Sequence, residues 1–260
     1  MTLGQNDIAA SFGVSPELLP YLPELLADIW VLGSWPDRIV DLLRPLDLEP
    51  ETTRVLEVGC GKGAVSVPIA QRLDFSVHGV DLFAPFLDVA KAKAREAGVA
   101  GRCRFEAADI SEAAGDRAEY DVAILAAVGA VMGSYEATVG WLRRAVRPGG
   151  YMVIDDGYLL DPSPENRPPG YEYCRDREET IRELTAHGDV IEKEVIVPTA
   201  ELQAYNQSNT ECIRARADRL ARQRPELASA LEAYVQSEID ECRYLEEKTV
   251  AAIWLLRREA

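Results

Sequence analysis

The feature that most constrains this chain is an apolar run that ends in three alternating glycines. Residues 54–63 read Arg-Val-Leu-Glu-Val-Gly-Cys-Gly-Lys-Gly, and a helical pattern follows them. Because glycine has no Cβ, the backbone N–H groups at Gly59, Gly61 and Gly63 can approach a bulky or anionic ligand. The segment therefore predicts a strand, a ligand-binding turn and a helix.

Strand and helix patterns continue to alternate after this turn. Apolar runs predict strands over 75–81, 103–109, 120–127 and 151–156, and amphipathic runs predict helices over 64–73, 85–97 and 136–146. The segment Arg147-Pro-Gly-Gly150 is expected to form a tight turn before the fifth strand. Alternation of this kind predicts a parallel α/β sheet.

Both ends of the chain depart from this alternation. The first fifty residues have a helical pattern with a loop at 33–36, and two long helices lie between the last predicted strands, 189–197 and 250–257. We expect an N-terminal helical segment and cover loop over 1–50. The core is expected over 51–260, with lid elements at about 158–188 and 200–246.

Composition excludes several classes of protein. With 44 acidic and 28 basic residues, the net charge of -16 would repel a nucleic-acid backbone. The longest apolar stretches are far shorter than the roughly 20 residues that a membrane span needs. The five cysteines are odd in number and widely spread, so they indicate neither a disulfide framework nor a zinc site. We expect a soluble cytoplasmic protein, monomeric or homodimeric, with no metal, no nucleic-acid partner and no membrane partner.

Polar residues follow the predicted strands where each one ends. Glu57 lies in the first strand, Asp81 ends the second and Asp109 ends the third. In an open parallel sheet, ligands bind beyond the carboxyl ends of the strands. Asp81 lies eighteen residues after Gly63, where a carboxylate can accept hydrogen bonds from the hydroxyl groups of a ribose. These residues predict a cofactor that contains a nucleoside.

The turn itself fits two classes of cofactor. The spacing Gly59-x-Gly61-x-x-Ala64 also satisfies the loose dinucleotide fingerprint, so an NAD-dependent oxidoreductase is an alternative. Glu57 argues for a cationic amino-acid cofactor, because a carboxylate beside the turn would repel a pyrophosphate. A phosphate-binding Walker loop is excluded, since Gly63 and not Ser or Thr follows Lys62.

Taken together, these segments resemble the class I S-adenosylmethionine-dependent methyltransferases that act on small molecules. The matching motifs are residues 55–63, Val80-Asp-Leu-Phe83, Ala107-Ala-Asp-Ile110, Tyr120-Asp-Val-Ala-Ile-Leu125 and Arg147-Pro-Gly-Gly150. The resemblance extends over about residues 30–258. It implies a Rossmann-like, seven-stranded, mostly parallel sheet with helices on both faces, N-terminal helices, and a helical insert before the last strand.

The resemblance also assigns S-adenosylmethionine to particular residues. Four turn residues would line its methionine part, Glu57 would act indirectly, and Asp81 would hold the ribose. The adenine would contact Leu82, Asp109 and Ile110, and the floor near the sulfonium would be Ala126 and Ala127. The four turn residues are Gly59, Cys60, Gly61 and Gly63.

Residues at the acceptor side are less specific. Ala126-Ala127-Val128-Gly129 replaces the Asn-Pro-Pro-Tyr motif of enzymes that methylate nucleic-acid bases. Trp35, Tyr158 and Tyr205 are predicted to line a substrate pocket, and no catalytic base is identified. The expected function is methyl transfer to a small-molecule acceptor, with S-adenosylhomocysteine as product. The alternatives are an NAD-dependent oxidoreductase and a non-catalytic S-adenosylmethionine-binding module.

Overall fold

A seven-stranded sheet organises the molecule. The structure, a computed structural model, describes residues 5–109, 118–163 and 170–259. The strands of the sheet are β1 (Arg54–Val58), β2 (Ser76–Asp81), β3 (Cys103–Ala107), β4 (Tyr120–Ala126), β5 (Val146–Leu159), β6 (Val190–Ile196) and β7 (Thr249–Arg257).

The order of the strands is β3-β2-β1-β4-β5-β7-β6. Neighbouring strands from β3 to β5 are parallel, whereas β7 is antiparallel to both β5 and β6. The expected seven-stranded, mostly parallel sheet is therefore confirmed. The winding reverses between β1 and β4, and their carboxyl ends form the crevice where ligands bind in such sheets.

Helices cover both faces of this sheet. They are α1 (Gln5–Ser11), α2 (Leu22–Leu25), α3 (Pro36–Leu43), α4 (Ser66–Leu73), α5 (Ala84–Glu96), α6 (Tyr135–Leu142), α7 (Arg177–Leu184), α8 (Thr199–Gln223) and α9 (Ala228–Lys248). Side chains alternate along a strand, so Val55 packs with α3 and α4 while Leu56 packs with α6. Each face thus has its own apolar core.

A third core joins the two ends of the chain. Leu18, Leu22 and Leu25 from the N-terminal part pack with Ile213 and other apolar residues of α8 and α9. We call residues 5–35 together with 199–248 the cap. Among the described residues, no helix combines the length and apolar character needed to cross a membrane.

The fifth strand differs from its prediction. Val146 pairs with Tyr120, and Tyr151 then pairs with Val122, so the residues between them bulge within β5. The prediction of a separate turn over residues 147–150 was wrong. The N–H of Arg258 donates to Gly150 O and its C=O accepts from the N–H of Gly149, so this segment is part of the sheet. The antiparallel continuation of β7 provides strand partners that local sequence does not reveal.

Candidate functional site

Both backbone conformation and close packing constrain the glycine turn after β1. Gly59, Gly61 and Gly63 have φ values of +70°, +49° and +73°. A Cβ on Gly59 would lie 2.5 Å from Val128 Cγ2, and one on Gly63 would lie 2.9 Å from Ala90 Cβ. Backbone conformation and close packing therefore both require glycine at these two positions, whereas Gly61 has more space.

The backbone donors of the turn are used inside the protein. Val80 O accepts two N–H bonds, at 2.8 and 3.0 Å, while Asp81 Oδ2 and Cys60 O accept one each at 2.8 Å. The donors are Gly59, Cys60, Gly61 and Gly63. These N–H groups do not face a ligand as the sequence suggested, because the end of β2 and the turn itself supply their acceptors.

Asp81 connects this turn to the start of α5. Its Oδ2 accepts from the N–H of Gly61, and its Oδ1 accepts from the N–H of Phe83 at 2.8 Å. Burial raises the pKa of Asp81, and the backbone N–H bonds oppose that shift. The N–H of Leu82 bonds to the carboxylate as well, and because a carboxylate offers about four lone-pair sites, Asp81 can also accept a hydrogen bond from a ligand hydroxyl.

Glu57 lies beneath the turn and is only 2% exposed. Burial raises the pKa of its carboxyl group to about 8, although the hydroxyl of Ser66 donates a hydrogen bond to it. A nearby cation favours the charged form of such a group. Glu57 can therefore gain its negative charge when a positive ligand binds, which suits an indirect role.

The cap crosses the turn and is fastened to it by Lys62. This lysine is 3% exposed, and its ammonium donates to the carbonyls of Leu26 and Ile29. The indole N–H of Trp30 in turn donates to Lys62 O at 2.9 Å. Burial lowers the pKa of Lys62 to about 8. Sequence reasoning missed this role, since nothing local links Lys62 to residues more than thirty positions earlier.

The predicted cover loop lies over the ends of β4 and β5. The N–H of Trp35 donates to Asp155 Oδ2 at 2.9 Å, and a Cβ on Gly33 would lie 3.0 Å from Ala127 Cβ. Asp155 is 3% exposed, and burial raises its pKa to about 8. We call residues 30–35 the cover segment.

Tyr205 reaches the cover segment from α8. Its hydroxyl accepts from the N–H of Gly33 at 2.6 Å and donates to Val31 O at 2.8 Å, while its ring lies 5.5 Å from that of Trp35. Tyr158 lies elsewhere, with its ring 6.4 Å from that of Trp254 in the core on the other face of the sheet. The structure thus brings together two of the three predicted pocket residues.

A polar pair, Asp156 and Tyr173, lies beside the loop after β4, and only Asp156 was expected at this edge of the sheet from the sequence. Tyr173 donates to Asp156 Oδ2 at 3.0 Å, and a Cβ on Gly129 would lie 2.9 Å from the Tyr173 hydroxyl. Burial raises the pKa of Asp156 to about 6. The pair lies near the acceptor-side loop, although Tyr173 is distant from it in sequence.

The remaining predicted residues lie at the strand ends. Leu82 and Asp109 are half-buried after β2 and β3, Ala126 is buried at the end of β4, and Ile110 lies outside the described residues. In the part of the chain that the structure describes, no group of His, Cys, Asp or Glu side chains is arranged to hold a metal ion.

A small cavity separates the cover segment from the turn. Its volume is about 30 Å³, and its lining includes Trp30, Leu32, Gly59, Gly61 and Ala126. A cavity of this size holds about two water molecules. The space between the cover segment and the turn is therefore smaller than a nucleoside.

Comparison with known proteins identifies the central segment. Residues 55–150 match the family model described as "Methyltransferase domain". A ubiquinone biosynthesis O-methyltransferase of Cereibacter sphaeroides is 35% identical over 113 residues, which are 44% of this chain and 44% of that protein. The alignment thus spans less than half the length of this curated relative.

Solved structures share the fold over most of the chain. A SAM-dependent methyltransferase from Geobacter sulfurreducens, in complex with S-adenosyl-L-homocysteine, has a TM-score of 0.75 and 23% identity, covering 91% of this chain and 97% of that one. The [4+2]-cyclase SpnF has a TM-score of 0.71 and 19% identity, covering 94% and 93%. At these identities the likeness concerns the fold. Residues 55–150 thus match a methyltransferase domain, within a chain whose fold is shared with S-adenosylmethionine-dependent methyltransferases.

Proposed function

We propose that the protein transfers a methyl group from S-adenosylmethionine to a small-molecule acceptor, with S-adenosylhomocysteine as product. The observation that carries this proposal is the glycine turn joined to Asp81 at the switch point of the sheet, beneath a cap. When bound, S-adenosylmethionine supplies a methyl group on a positively charged sulfur, which makes that carbon open to displacement.

The residues of the site fit this cofactor better than a dinucleotide. A pyrophosphate needs free backbone donors at the turn, and four of those N–H groups are already bonded within the protein. Glu57 and Asp81 place acidic groups beside the turn, which suit a cationic ligand. Both arguments disfavour the NAD-dependent alternative.

The proposal includes the roles in cofactor binding that the sequence predicted for individual residues. Asp81 would hold the ribose, Leu82 and Asp109 the adenine, and Ala126 and Ala127 the floor near the sulfonium. Ile110 is part of the same prediction. Gly61 is the glycine of the turn with the most space for the methionine part, because Gly59 and Gly63 pack against protein atoms.

A small-molecule acceptor is supported by the cap and by the name of the relative. The cap brings Trp35 and Tyr205 over the ends of β4 and β5, so side chains cover this part of the sheet edge. The Cereibacter sphaeroides relative is named for O-methylation in ubiquinone biosynthesis. The chain's own contribution is to align the reactants and exclude water, and no catalytic base is assigned. A cytoplasmic location and a monomeric or homodimeric state belong to the same proposal.

Calorimetric titration with S-adenosylhomocysteine, with NADH as the parallel ligand, tests the choice of cofactor. We expect binding at micromolar concentration to S-adenosylhomocysteine alone. Binding to NADH alone, or to neither, would contradict the proposal.

Turnover separates an enzyme from a non-catalytic binding module. The fold itself does not decide this, since the similar structure of SpnF belongs to a protein named as a cyclase. Radiolabelled S-adenosylmethionine incubated with a panel of phenols, alcohols and amines should label at least one acceptor class. Cofactor binding without any labelled product across that panel would favour the binding-module alternative.

A further inference from the structure

A second cavity, a cleft, lies between the cap and α5. Its volume is about 280 Å³, close to the lower end of the range for small-molecule sites in proteins. Among the described residues, its lining includes none of those predicted to bind S-adenosylmethionine. We call it the α5 cleft, and its lining includes Ala27, Asp28, Trp30, Lys62, Phe86 and Lys93.

Two aromatic rings give the α5 cleft flat apolar surfaces. Phe86 contributes a buried ring from α5, and Trp30 contributes a half-buried ring from the cap. The indole N–H of Trp30 donates to Lys62 O at 2.9 Å, which fixes the orientation of that ring. Aromatic molecules pack against such rings in offset or edge-to-face contact. This part of the lining therefore favours a flat aromatic ligand.

Two ammonium groups lie beside these rings. Lys62 Nζ is 5.1 Å from the centroid of the Phe86 ring, and Lys93 Nζ is 5.7 Å from that of Trp30. Lys62 donates to two backbone carbonyls of the cap, which leaves its third N–H without a hydrogen-bond acceptor among the described residues. Because Lys62 is only 3% exposed, bulk water has little access to this donor. An anionic ligand in the cleft can supply the acceptor.

The carboxylates near the cleft are already engaged. Asp28 accepts two hydrogen bonds from Arg216, at 2.5 and 2.6 Å. Glu96 pairs with Lys93 at 2.9 Å across three positions of α5, and such exposed pairs contribute little, so Lys93 can exchange Glu96 for a ligand. Three cationic side chains, including Lys62, thus stand against two carboxylates. The cleft favours an anion although the net charge of the chain is -16.

We propose that the α5 cleft is a second small-molecule site, which binds a flat aromatic carboxylate. The ring of the ligand packs against Trp30 and Phe86, and its carboxylate accepts from the ammonium groups of Lys62 and Lys93. A carboxylate can accept from both at once, because each of its oxygens has two lone pairs. This site is separate from the methyl-transfer site of the proposed function.

Calorimetric titration with 2-naphthoate tests the proposal, with 2-naphthylmethanol as the uncharged ligand of similar size. We expect 2-naphthoate to bind about tenfold more tightly, because its hydrogen bonds to ammonium groups are charge-assisted. Lys93→Gln should weaken its binding about fivefold, whereas Lys91→Gln, which also removes an exposed charge from α5, should leave it unchanged. Equal binding of the two ligands, or no binding of 2-naphthoate, would overturn the proposal.

Two further measurements test where the ligand binds. Ala27 is exposed and lines the cleft, so Ala27→Phe places a ring in the cleft without changing an apolar core, and we expect 2-naphthoate to bind at least about tenfold more weakly. In the wild type, the indole N–H resonance that is absent from Trp30→Phe should shift when 2-naphthoate is added. An unmoved resonance, or full affinity in a folded Ala27→Phe variant, would overturn the assignment to the cleft.

Competition separates the α5 cleft from the cofactor site. Saturating S-adenosylhomocysteine should not displace 2-naphthoate, and competitive displacement would assign 2-naphthoate to the cofactor site and overturn the proposal. If the protein binds no S-adenosylhomocysteine, the proposed function fails. The two ligands and the Lys93→Gln, Lys91→Gln and Ala27→Phe variants still decide whether the cleft is a site.

Discussion

The glycine turn and the cap differ in how far apart in sequence their contacts lie. In the turn, Gly63 bonds to Cys60 and Gly61 bonds to Asp81, which are separated by 3 and 20 positions. In the cap, Gly33 bonds to Tyr205 across 172 positions, and Asp28 pairs with Arg216 across 188. The turn is encoded by a local motif, whereas the cap depends on the whole fold.

The turn and the cap also differ in their match to the methyltransferase domain model. The matched domain covers residues 55–150, and neither part of the cap lies within it. The cap nevertheless supplies the atoms that cover the turn. The cap can therefore control access to a turn that lies within the matched domain.

The largest expected effect is on the packing of the turn. Gly63→Ala places a methyl group against Ala90, whereas Gly98→Ala, at the same φ of +73°, meets nothing within 4 Å. We expect Gly63→Ala to lower the free energy of unfolding by about 3 kcal/mol and Gly98→Ala by about 1 kcal/mol, measured by urea denaturation. Equal losses would mean that backbone strain alone, and not packing, requires glycine in the turn.

The next largest effect concerns cofactor binding by Asp81, a residue of the turn side of the site and not of the cap. Asp81→Ala removes the acceptor of the Gly61 and Phe83 N–H groups and the predicted ribose contact. Calorimetry should show S-adenosylhomocysteine binding weakened by about 1 to 3 kcal/mol. Asp88→Ala, an exposed substitution on α5, is the control. Unchanged affinity in Asp81→Ala would remove Asp81 from the site.

A third prediction uses pH to test the buried acid beneath the turn. The pKa of Glu57 is about 8 in the folded protein and near 4.5 when the chain is unfolded, so the folded state binds one more proton between these values. This stabilisation is complete below pH 4.5 and is lost as pH rises towards 8, with a slope of up to about 1.4 kcal/mol per pH unit.

Glu57→Gln should flatten that slope, because the amide cannot ionise. Urea denaturation between pH 5 and 8 measures it, with exposed Glu232→Gln as the matched control. Some slope should remain from Asp155, whose pKa burial also raises to about 8. Identical slopes in Glu57→Gln and wild type would show that Glu57 is charged throughout this range.

The smallest expected effect concerns one hydrogen bond between cap and turn. Trp30→Phe removes the indole N–H bond to Lys62 O and should weaken S-adenosylhomocysteine binding by about 1 kcal/mol. Trp254→Phe removes a similar bond, to Glu194 Oε1 at 3.0 Å, within the sheet core. The control should lose stability but keep its affinity. If both variants keep full affinity, the cap does not hold the ligand through Trp30.

Much of the sheet was predictable because the periodicity of apolar side chains and the glycine motif are local properties of the sequence. The predicted strands at 75–81 and 189–197 agree with β2 and β6 to within one residue at each end. The bulge in β5 was not predictable, since Arg258 lies more than a hundred residues from the segment with which it pairs.

Within the site, residue types were easier to predict than their partners. The sequence placed Asp81 at a strand end and Trp35 in a cover loop, and the structure shows what each contacts. It gave no sign that Lys62 would bond to Leu26 O, or that Tyr173 would bond to Asp156. Such pairs depend on how distant elements pack.

The sequence by itself determined the glycine turn, the alternation that builds the sheet, and the resemblance to S-adenosylmethionine-dependent methyltransferases. These features follow from backbone freedom at glycine and from side-chain periodicity, both of which act within a few residues. Only the tertiary structure decided that the turn N–H groups are bonded internally and that Tyr205 and Lys62 fasten the cap. Those contacts join groups far apart along the chain, and they exist only after three separate cores have brought the elements together.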